Sequence, residues 1–143
     1  MLIKKLLDVK TPNRGTSKSA GIDFFTPNDM EKIVLGPNES ALIPTGIQAQ
    51  VPEGHALIAF NKSGVATKKG LVVGACVVDE DYEGIIHIHM INVSKSNVEI
   101  LPGEKLTQFI LIPVNYETVQ AVDSFPERQS QRGDKGFGST GVS

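Results

Sequence analysis

The apolar residues of this chain come in short runs, many of them with a period of two, and Pro, Gly and Asn interrupt these runs every few residues. Alternation with a period of two places the apolar side chains on one face of a strand, and runs this short rarely form long helices. The predicted strands are Leu2–Val9, Ile22–Phe25, Lys32–Leu35, Ser40–Ile43, Ile47–Val51, His55–Phe60, Leu71–Val78, Ile85–Asn92, Asn97–Ile100 and Lys105–Val114. Only Gly64–Lys69 suggests a helix, of one or two turns. The pattern therefore predicts an all-β barrel or jelly-roll sandwich.

Composition narrows the class of protein further. At 143 residues, with 40% hydrophobic and 21% charged content, the chain has the size and composition of one globular domain. A net charge of −2 supplies no global positive field for long DNA or RNA, so an anionic ligand must be met by a local cluster. The single cysteine, Cys76, excludes an internal disulfide and a cysteine-based zinc site. With no export signal and no apolar run of membrane-spanning length, we expect a cytoplasmic protein without a membrane partner.

The C-terminal segment differs from ordinary polar filler. We expect a β-barrel domain over residues 1–123 and an arm over residues 124–143. Within the arm, Arg132–Gly141 combines glycines, cations, hydroxyls and one Phe, which suits a flap over a nucleotide. Gly136–Gly141 also fits the dinucleotide pattern G-x-G-x-x-G, but that pattern requires a helix to follow, and only two residues remain.

Four further segments place polar residues at strand ends or turns. They are Ser19–Asp23, Asn61–Gly70, Gly74–Gly84 and Gly103–Ile110. Each alone is compatible with a solvated turn, although lysines beside Ser-Gly amides suit phosphate and an Asp at a strand end suits a general base. His87 and His89 share one face of a predicted strand. A metal site there is the less favoured interpretation, and a polar strand face or subunit contact the more favoured one.

Taken in order, these five segments resemble the five motifs of the trimeric deoxyuridine triphosphate nucleotidohydrolase (dUTPase) family. They span Ser19 to Gly141 with compatible spacing. The resemblance implies a homotrimer of jelly-roll-like β-barrels with active sites shared between subunits. It also implies hydrolysis of dUTP to dUMP and pyrophosphate with Mg²⁺, which keeps uracil out of DNA and supplies dUMP.

The resemblance also implies roles for individual residues. Asp79 would deprotonate the attacking water and contact the sugar 3′-OH, and Tyr82 would pack against the deoxyribose and exclude a 2′-OH. The strand that reads uracil through backbone groups would comprise Val73, Gly74 and Cys76. The remaining substrate contacts would be Lys62, Ser63, Gly64 and Gln108, with Arg132, Phe137, Gly138, Ser139 and Thr140 from the arm. Asp23 and Gln108 would act on Mg²⁺ indirectly, through its waters.

Two departures from the family pattern stand out. Asn61-Lys62 replaces Pro-Arg, so the charge is kept but the planar guanidinium fork and a backbone restraint are lost. Asp134-Lys135 replaces small residues in the arm. Neither removes the expected base, so we expect activity to be retained.

Two alternatives remain open from sequence. One is a dCTP deaminase or bifunctional deaminase–dUTPase on the same fold, although no glutamate follows the uracil-reading strand in a deaminase-like context. The other is a regulatory protein that uses nucleotide occupancy of a dUTPase-like site as a switch.

Overall fold

A computed structural model describes residues 1–75 and 77–141 of the chain. Eleven strands and one short helical segment, Val65–Lys69, are present in this part of the chain. The strands are β1 Leu2–Lys5, β2 Ile22–Phe25, β3 Ile33–Leu35, β4 Ser40–Pro44, β5 Ile47–Gln50, β6 His55–Asn61, β7 Leu71–Val73, β8 Val77–Val78, β9 His87–Asn92, β10 Val98–Ile100 and β11 Lys105–Pro113. No helix among these residues is long and apolar enough to cross a membrane.

All strand pairs are antiparallel, and most join segments that are distant in sequence. The largest sheet has the order β2-β11-β6-β8, and a second has the order β4-β9-β7. Two strand pairs, β1-β5 and β3-β10, complete the described strands. This nested pairing, in which early strands bind late ones, confirms the predicted all-β jelly-roll-like fold.

One continuous hydrophobic core lies between the sheets. Phe24 of β2 and Phe109 of β11 meet near its centre, with ring centroids 4.6 Å apart and a tilt of 55°, a favourable geometry for aromatic pairs. Leu57 and Ile88 contribute fully buried side chains from β6 and β9. The core therefore anchors the three strands, β6, β9 and β11, that carry most of the site described below.

The predicted strand Leu71–Val78 is wrong in one respect, since it consists of two strands. β7 pairs with β9, whereas β8 pairs with β6 in the other sheet. The chain thus changes partner between Val73 and Val77, and this change opens the β7–β9 hairpin. The first predicted strand also ends earlier than expected, at Lys5.

Candidate active site

The first part of the site is an opening inside the hairpin formed by β7 and β9. The two strands stay paired as far as Val73 opposite Met90, and the Gly74 N–H donates to the His89 carbonyl at 2.9 Å. Beyond that point they separate, because β8 turns to β6 while β9 continues along β4. The resulting cavity, here called the hairpin slot, has a volume of about 230 Å³. It is lined by Leu42, Ala75, Val77, Val78, Tyr82, Ile85, Ile86, His87 and Phe109.

The hairpin slot is small and mostly apolar, and most of its lining comes from the two segments around β8 and β9. Such a space admits a small planar ring and offers backbone groups for hydrogen bonds. Gly74 directly precedes Ala75, the lining residue next to β7, which marks the inner end of the slot. It lies so near the His89 ring that a side chain at this position would collide with it. The glycine is therefore required by close approach rather than by its backbone angles.

The acidic turn Asp79–Gly84 lies at the mouth of the slot. Asp79 follows β8 directly and is solvent-exposed, and its carbonyl accepts the Tyr82 N–H at 3.2 Å. The Tyr82 hydroxyl donates to the Ile85 carbonyl at 2.9 Å, which holds the phenol ring along the slot wall. A carboxylate and an aromatic ring therefore stand at the entrance, where a sugar attached to a bound ring would lie.

Glu80 anchors this turn to the rest of the domain. Its Oε2 accepts the Tyr116 hydroxyl at 2.7 Å and the Gly54 N–H at 2.9 Å. These two donors hold the pKa of Glu80 below its ordinary value of 4.5, since both stabilise the carboxylate. The same bond to the Glu80 carboxylate raises the pKa of Tyr116 to about 12. The turn that carries Asp79 is thus fixed from two directions.

The second part of the site is a polar cluster at the other end of β6, here called the cation cluster and comprising Asp23, Lys62, Lys105 and Gln108. Asp23 is buried, and its two carboxylate oxygens lie 2.5 Å from the Lys62 Nζ and 3.4 Å from the Lys105 Nζ. Gln108 lies opposite Asp23 in the β2–β11 register, and its Nε2 donates to the Asn61 carbonyl at 2.9 Å. A lysine ammonium has three donors, so Lys62 keeps two for an anion while Asp23 fixes the third.

The loop after Lys62 supplies further polar groups to the cation cluster. Ser63 and Gly64 are exposed and lead into the helical segment. The Lys62 carbonyl accepts the Ala66 N–H at 2.9 Å, and the Ser63 carbonyl accepts the Thr67 hydroxyl at 2.7 Å. These bonds fix the turn, while the Ser63 hydroxyl and nearby amides stay on the surface.

Within one chain the cation cluster and Asp79 are far apart. Val78 pairs with Leu57, and Asn61 lies four residues further along β6, whereas Asp79 extends in the opposite direction. At about 3.3 Å per residue, Asp79 and Asn61 are separated by roughly 16 Å. A general base must lie within hydrogen-bond reach of the reaction, directly or through one water. Within one chain, therefore, Asp79 is out of reach of a phosphate bound at the cation cluster.

The arm forms a third, separate part. All of residues 114–141 are exposed, and in the described chain the hydrogen bonds of residues 124–141 stay within that segment. Phe137 is fully exposed and has a positive φ of 45°, which is uncommon for an aromatic residue. The Arg132 Nε donates to the Lys135 carbonyl at 3.1 Å. The last strand ends at Pro113, and Tyr116 is still bonded to the domain, so the arm boundary at residue 124 stays a prediction.

The structure groups the residues singled out from sequence in three places. Asp23, Lys62 and Gln108 meet in the cation cluster, beside Ser63 and Gly64. Tyr82 lines the hairpin slot, Val73 and Gly74 directly precede its lining residue Ala75, and Asp79 directly follows its lining residue Val78. Cys76 lies outside the described residues. The five arm residues, Arg132, Phe137, Gly138, Ser139 and Thr140, lie away from both groups.

Sequence reasoning missed three participants. Lys105 pairs with Asp23, the Asn61 Oδ1 accepts the Val73 N–H at 2.7 Å, and the His89 Nδ1 accepts the Ala75 N–H at 2.8 Å. Lys105 lies in a recognised segment, but the two backbone contacts join residues 12 and 14 positions apart and leave no sequence pattern. Among the described residues no group of three potential metal ligands is present, and His87 bonds to the Ile85 carbonyl.

A jelly-roll-like β domain with a ring-sized slot, a carboxylate at its mouth and a separate cation cluster defines a nucleotide-binding protein. The comparisons with known proteins agree. The dUTPase family model matches residues 8–141. The chain is 38% identical over 145 residues to the deoxyuridine 5′-triphosphate nucleotidohydrolase of Hydrogenobaculum sp., covering 99% of this chain and 98% of the relative. It is 35% identical over 130 residues to the mouse enzyme of the same name, covering 91% and 77%. The chain belongs to the dUTPase family.

Solved structures show the same similarity. The dUTPase of Staphylococcus bacteriophage 80alpha, solved as a mutant with dUpNHpp, matches with a TM-score of 0.89 and 28% identity, covering 99% of this chain and 98% of that one. A dUTPase from phage phi11 matches with a TM-score of 0.78 and 25% identity over 87% of this chain and 96% of that one.

Proposed function

We propose that this protein is a dUTP diphosphatase that hydrolyses dUTP to dUMP and pyrophosphate. Water attacks the α-phosphorus, its proton passes to the Asp79 carboxylate, and the bond to the β-phosphate bridging oxygen breaks to release pyrophosphate. Family membership and the named relatives support the reaction. The observation that carries the proposal is the hairpin slot, with Asp79 and Tyr82 at its mouth.

The hairpin slot would recognise the deoxyuridine part of the substrate. Uracil fits between the two chain segments, where backbone groups of Val73, Gly74 and Cys76 would read its polar edge. We propose that the lining of the slot would approach C5 of the base closely enough to disfavour the methyl group of thymine. Tyr82, held by the Ile85 carbonyl, lies where it would pack on the deoxyribose and leave no room for a 2′-OH.

The cation cluster would bind the triphosphate. Lys62, Ser63, Gly64 and Gln108 offer an ammonium, a hydroxyl, backbone amides and a carboxamide to phosphate oxygens. Preorganised donors of this kind stabilise the charge that develops on the leaving pyrophosphate. The Lys62–Asp23 pair supplies the preorganisation, because it fixes the lysine head before substrate arrives.

Mg²⁺ fits this arrangement as an ion bound mainly through the substrate. Mg²⁺ keeps several waters and prefers phosphate oxygens. Asp23 already has a lysine at each carboxylate oxygen, so it suits contact with metal waters rather than direct ligation. Gln108 stands beside it in the same register. When bound, the ion would neutralise triphosphate charge, and a mutant dUTPase from phage phi11 coordinates a structural Mg(II) ion of its own.

The active site would be shared between copies in a homotrimer. The separation of roughly 16 Å between Asp79 and Asn61 within one chain supports this, because the two halves must come together around one substrate. The arm supports it as well, since its apolar side chains at Phe125 and Phe137, like that of Val119 shortly before the arm, are almost wholly exposed in the single chain. Neighbouring copies would cover them.

The arm would act as a lid on the assembled site. Arg132, Ser139 and Thr140 carry donors for the γ-phosphate, Gly138 allows a close backbone approach, and Phe137 would cover the uracil. Its glycines permit the positive φ angles found at Gly133, Gly138 and Gly141. Closure would exclude bulk water from the reaction. We place this activity in the cytoplasm, with the soluble nucleotide pool.

The test is pyrophosphate and ammonia release from dUTP, dTTP, dCTP and UTP, each with and without Mg²⁺. We expect Mg²⁺-dependent pyrophosphate release from dUTP alone. Ammonia release from dCTP would show a deaminase instead. Tight binding of dUTP without turnover would favour the regulatory alternative, and an Asp79→Asn variant with wild-type turnover would refute the mechanism.

A further inference from the structure

We infer that His89 is a positioning residue for base recognition: its neutral imidazole fixes the inner end of the hairpin slot by accepting the Ala75 N–H. The inference rests on the proposed function, because it assigns a role to the slot in reading the base. His89 does not touch the reacting phosphate and acts through the backbone of Gly74 and Ala75.

The geometry places His89 at the point where the hairpin opens. Its carbonyl accepts the Gly74 N–H at 2.9 Å, and its ring Nδ1 accepts the Ala75 N–H at 2.8 Å. Backbone and side chain of one residue thus hold two consecutive amides of the facing segment. The last regular β7–β9 pair is Val73 with Met90, so the His89 ring continues the ladder by one further bond.

The contact defines the tautomer of the ring. A backbone N–H can only donate, so Nδ1 must be unprotonated and the ring proton of neutral His89 must lie on Nε2. The other two histidines show the opposite arrangement. The Nδ1 of His55 faces the Glu53 carbonyl and that of His87 faces the Ile85 carbonyl, both at 2.8 Å, so each must donate from Nδ1. Only His89 uses its ring as an acceptor.

A protonated His89 cannot hold the slot in this way. Imidazolium has a proton on both nitrogens, so Nδ1–H would face the Ala75 N–H and the two would repel. Gly74 sits against the same ring, so a displaced ring also moves the segment that lines the slot. The facing elements β4 and β7 carry no ionisable side chain, and the ionisable neighbour on the same face of β9 is His87.

The experiment compares the wild type with His89→Ala and His89→Asn at several pH values. The Asn Oδ1 occupies about the position of Nδ1 and accepts a hydrogen bond without titrating, so it is the conservative replacement. Loss of one such bond raises KM for dUTP roughly 3- to 10-fold in His89→Ala, with kcat changed less than about twofold. His89→Asn should restore KM, and a rise of the wild-type KM toward low pH should be absent from this variant. His55→Ala, whose ring bonds to its own turn, keeps the wild-type pH dependence.

A second measurement needs no turnover. In the free protein, the NMR shift of the Ala75 amide should follow protonation of the His89 ring, and it should stay constant with pH in His89→Asn. A wild type that binds but does not hydrolyse dUTP would refute the proposed function and leave this result interpretable. The inference is overturned if KM for dUTP in His89→Ala equals the wild-type value, or if His89→Asn fails to restore it. It is also overturned if the NMR shift of the Ala75 amide does not respond to the state of the His89 ring. Thermal melting and light scattering confirm that each variant is folded and assembled.

Discussion

The split between the hairpin slot and the cation cluster leads to a quantitative prediction about mixed oligomers. Asp79→Asn removes the base from every copy, and Lys62→Ala removes a phosphate donor from every copy, so each variant alone should be nearly inactive. Loss of a general base costs about 100- to 10,000-fold. Loss of a charged hydrogen bond of about 1.5 to 3 kcal/mol costs about 10- to 150-fold. The two variants differ in the half of the site that they damage.

Mixing the two variants should restore activity. A Lys62→Ala chain still has an intact slot with Asp79, and an Asp79→Asn chain still has an intact cation cluster. If Asp79 and Lys62 of one site come from different copies, a site that combines these two intact halves is active. In randomly mixed trimers at equal amounts, each half is intact half the time, so about one quarter of the sites are intact. This exceeds the residual activity of either parent. If both residues came from one chain, no site in the mixture would be intact.

The assay is pyrophosphate release after the two variants are unfolded together and refolded, with native mass spectrometry to confirm mixed assemblies. The matched control mixes Asp79→Asn with Tyr82→Ala. Both of these residues lie at the mouth of the same slot, so no mixed site combines an intact copy of each. Activity at the parental level in confirmed Asp79→Asn and Lys62→Ala mixtures would refute the shared site.

Three further changes test separate parts of the structure. Gly74→Ala should force the His89 ring away and cost about 1 to 3 kcal/mol of folding free energy, measured by denaturant unfolding, with a raised KM for dUTP. Tyr116→Phe should raise the pKa of Glu80 toward 4.5, which NMR of its carboxyl carbon would follow. In the wild type, the lowered pKa stabilises the folded protein above pH 4.5, and this stabilisation is lost as the pH falls through the lowered value. The variant should therefore be less stable than the wild type above pH 4.5, and the difference should disappear in acid. Truncation after Gln131 should greatly reduce turnover, because it removes the proposed lid. It should leave the melting temperature unchanged, because the hydrogen bonds of the described arm stay within the arm. A lower melting temperature would show that the arm supports the fold.

Sequence predicts the fold well because strand patterning is local. The predicted strand Ile22–Phe25 has the bounds found in the structure. Its apolar residues and the turn residues that flank it are neighbours in sequence, so the signal is local. The pattern predicts Leu71–Val78 as one strand because its apolar character is continuous. The strand is interrupted after Val73 because β8 pairs with β6 instead of continuing along β9. This pairing joins segments that are distant in sequence, so no local pattern predicts it.

The sequence predicts a set of site residues, but it does not predict how they are divided in space. Nothing in the order of the motifs indicates that Asp23, Lys62 and Gln108 converge while Asp79 stands apart. That division follows from β6, which meets β11 along its length and meets β8 only near its beginning. Strand register therefore decides which of the proposed site residues one chain brings together, and the proposed shared site would obtain the others from a second copy.

The pair Asn61-Lys62 differs from the Pro-Arg of the family pattern, and both of its side chains make contacts that order the loop. Proline would restrain the backbone at this turn but has no side chain that could accept a hydrogen bond. Asn61 instead accepts the Val73 N–H at 2.7 Å, which ties the loop of the cation cluster to the inner end of the hairpin slot. Lysine lacks the planar fork of arginine, yet its Nζ is fixed 2.5 Å from the buried Asp23 carboxylate. Two side-chain contacts thus order this loop where the family pattern has a proline ring and a guanidinium. If the active sites are shared as proposed, the Asn61 contact joins the phosphate loop of one site to the base slot of another.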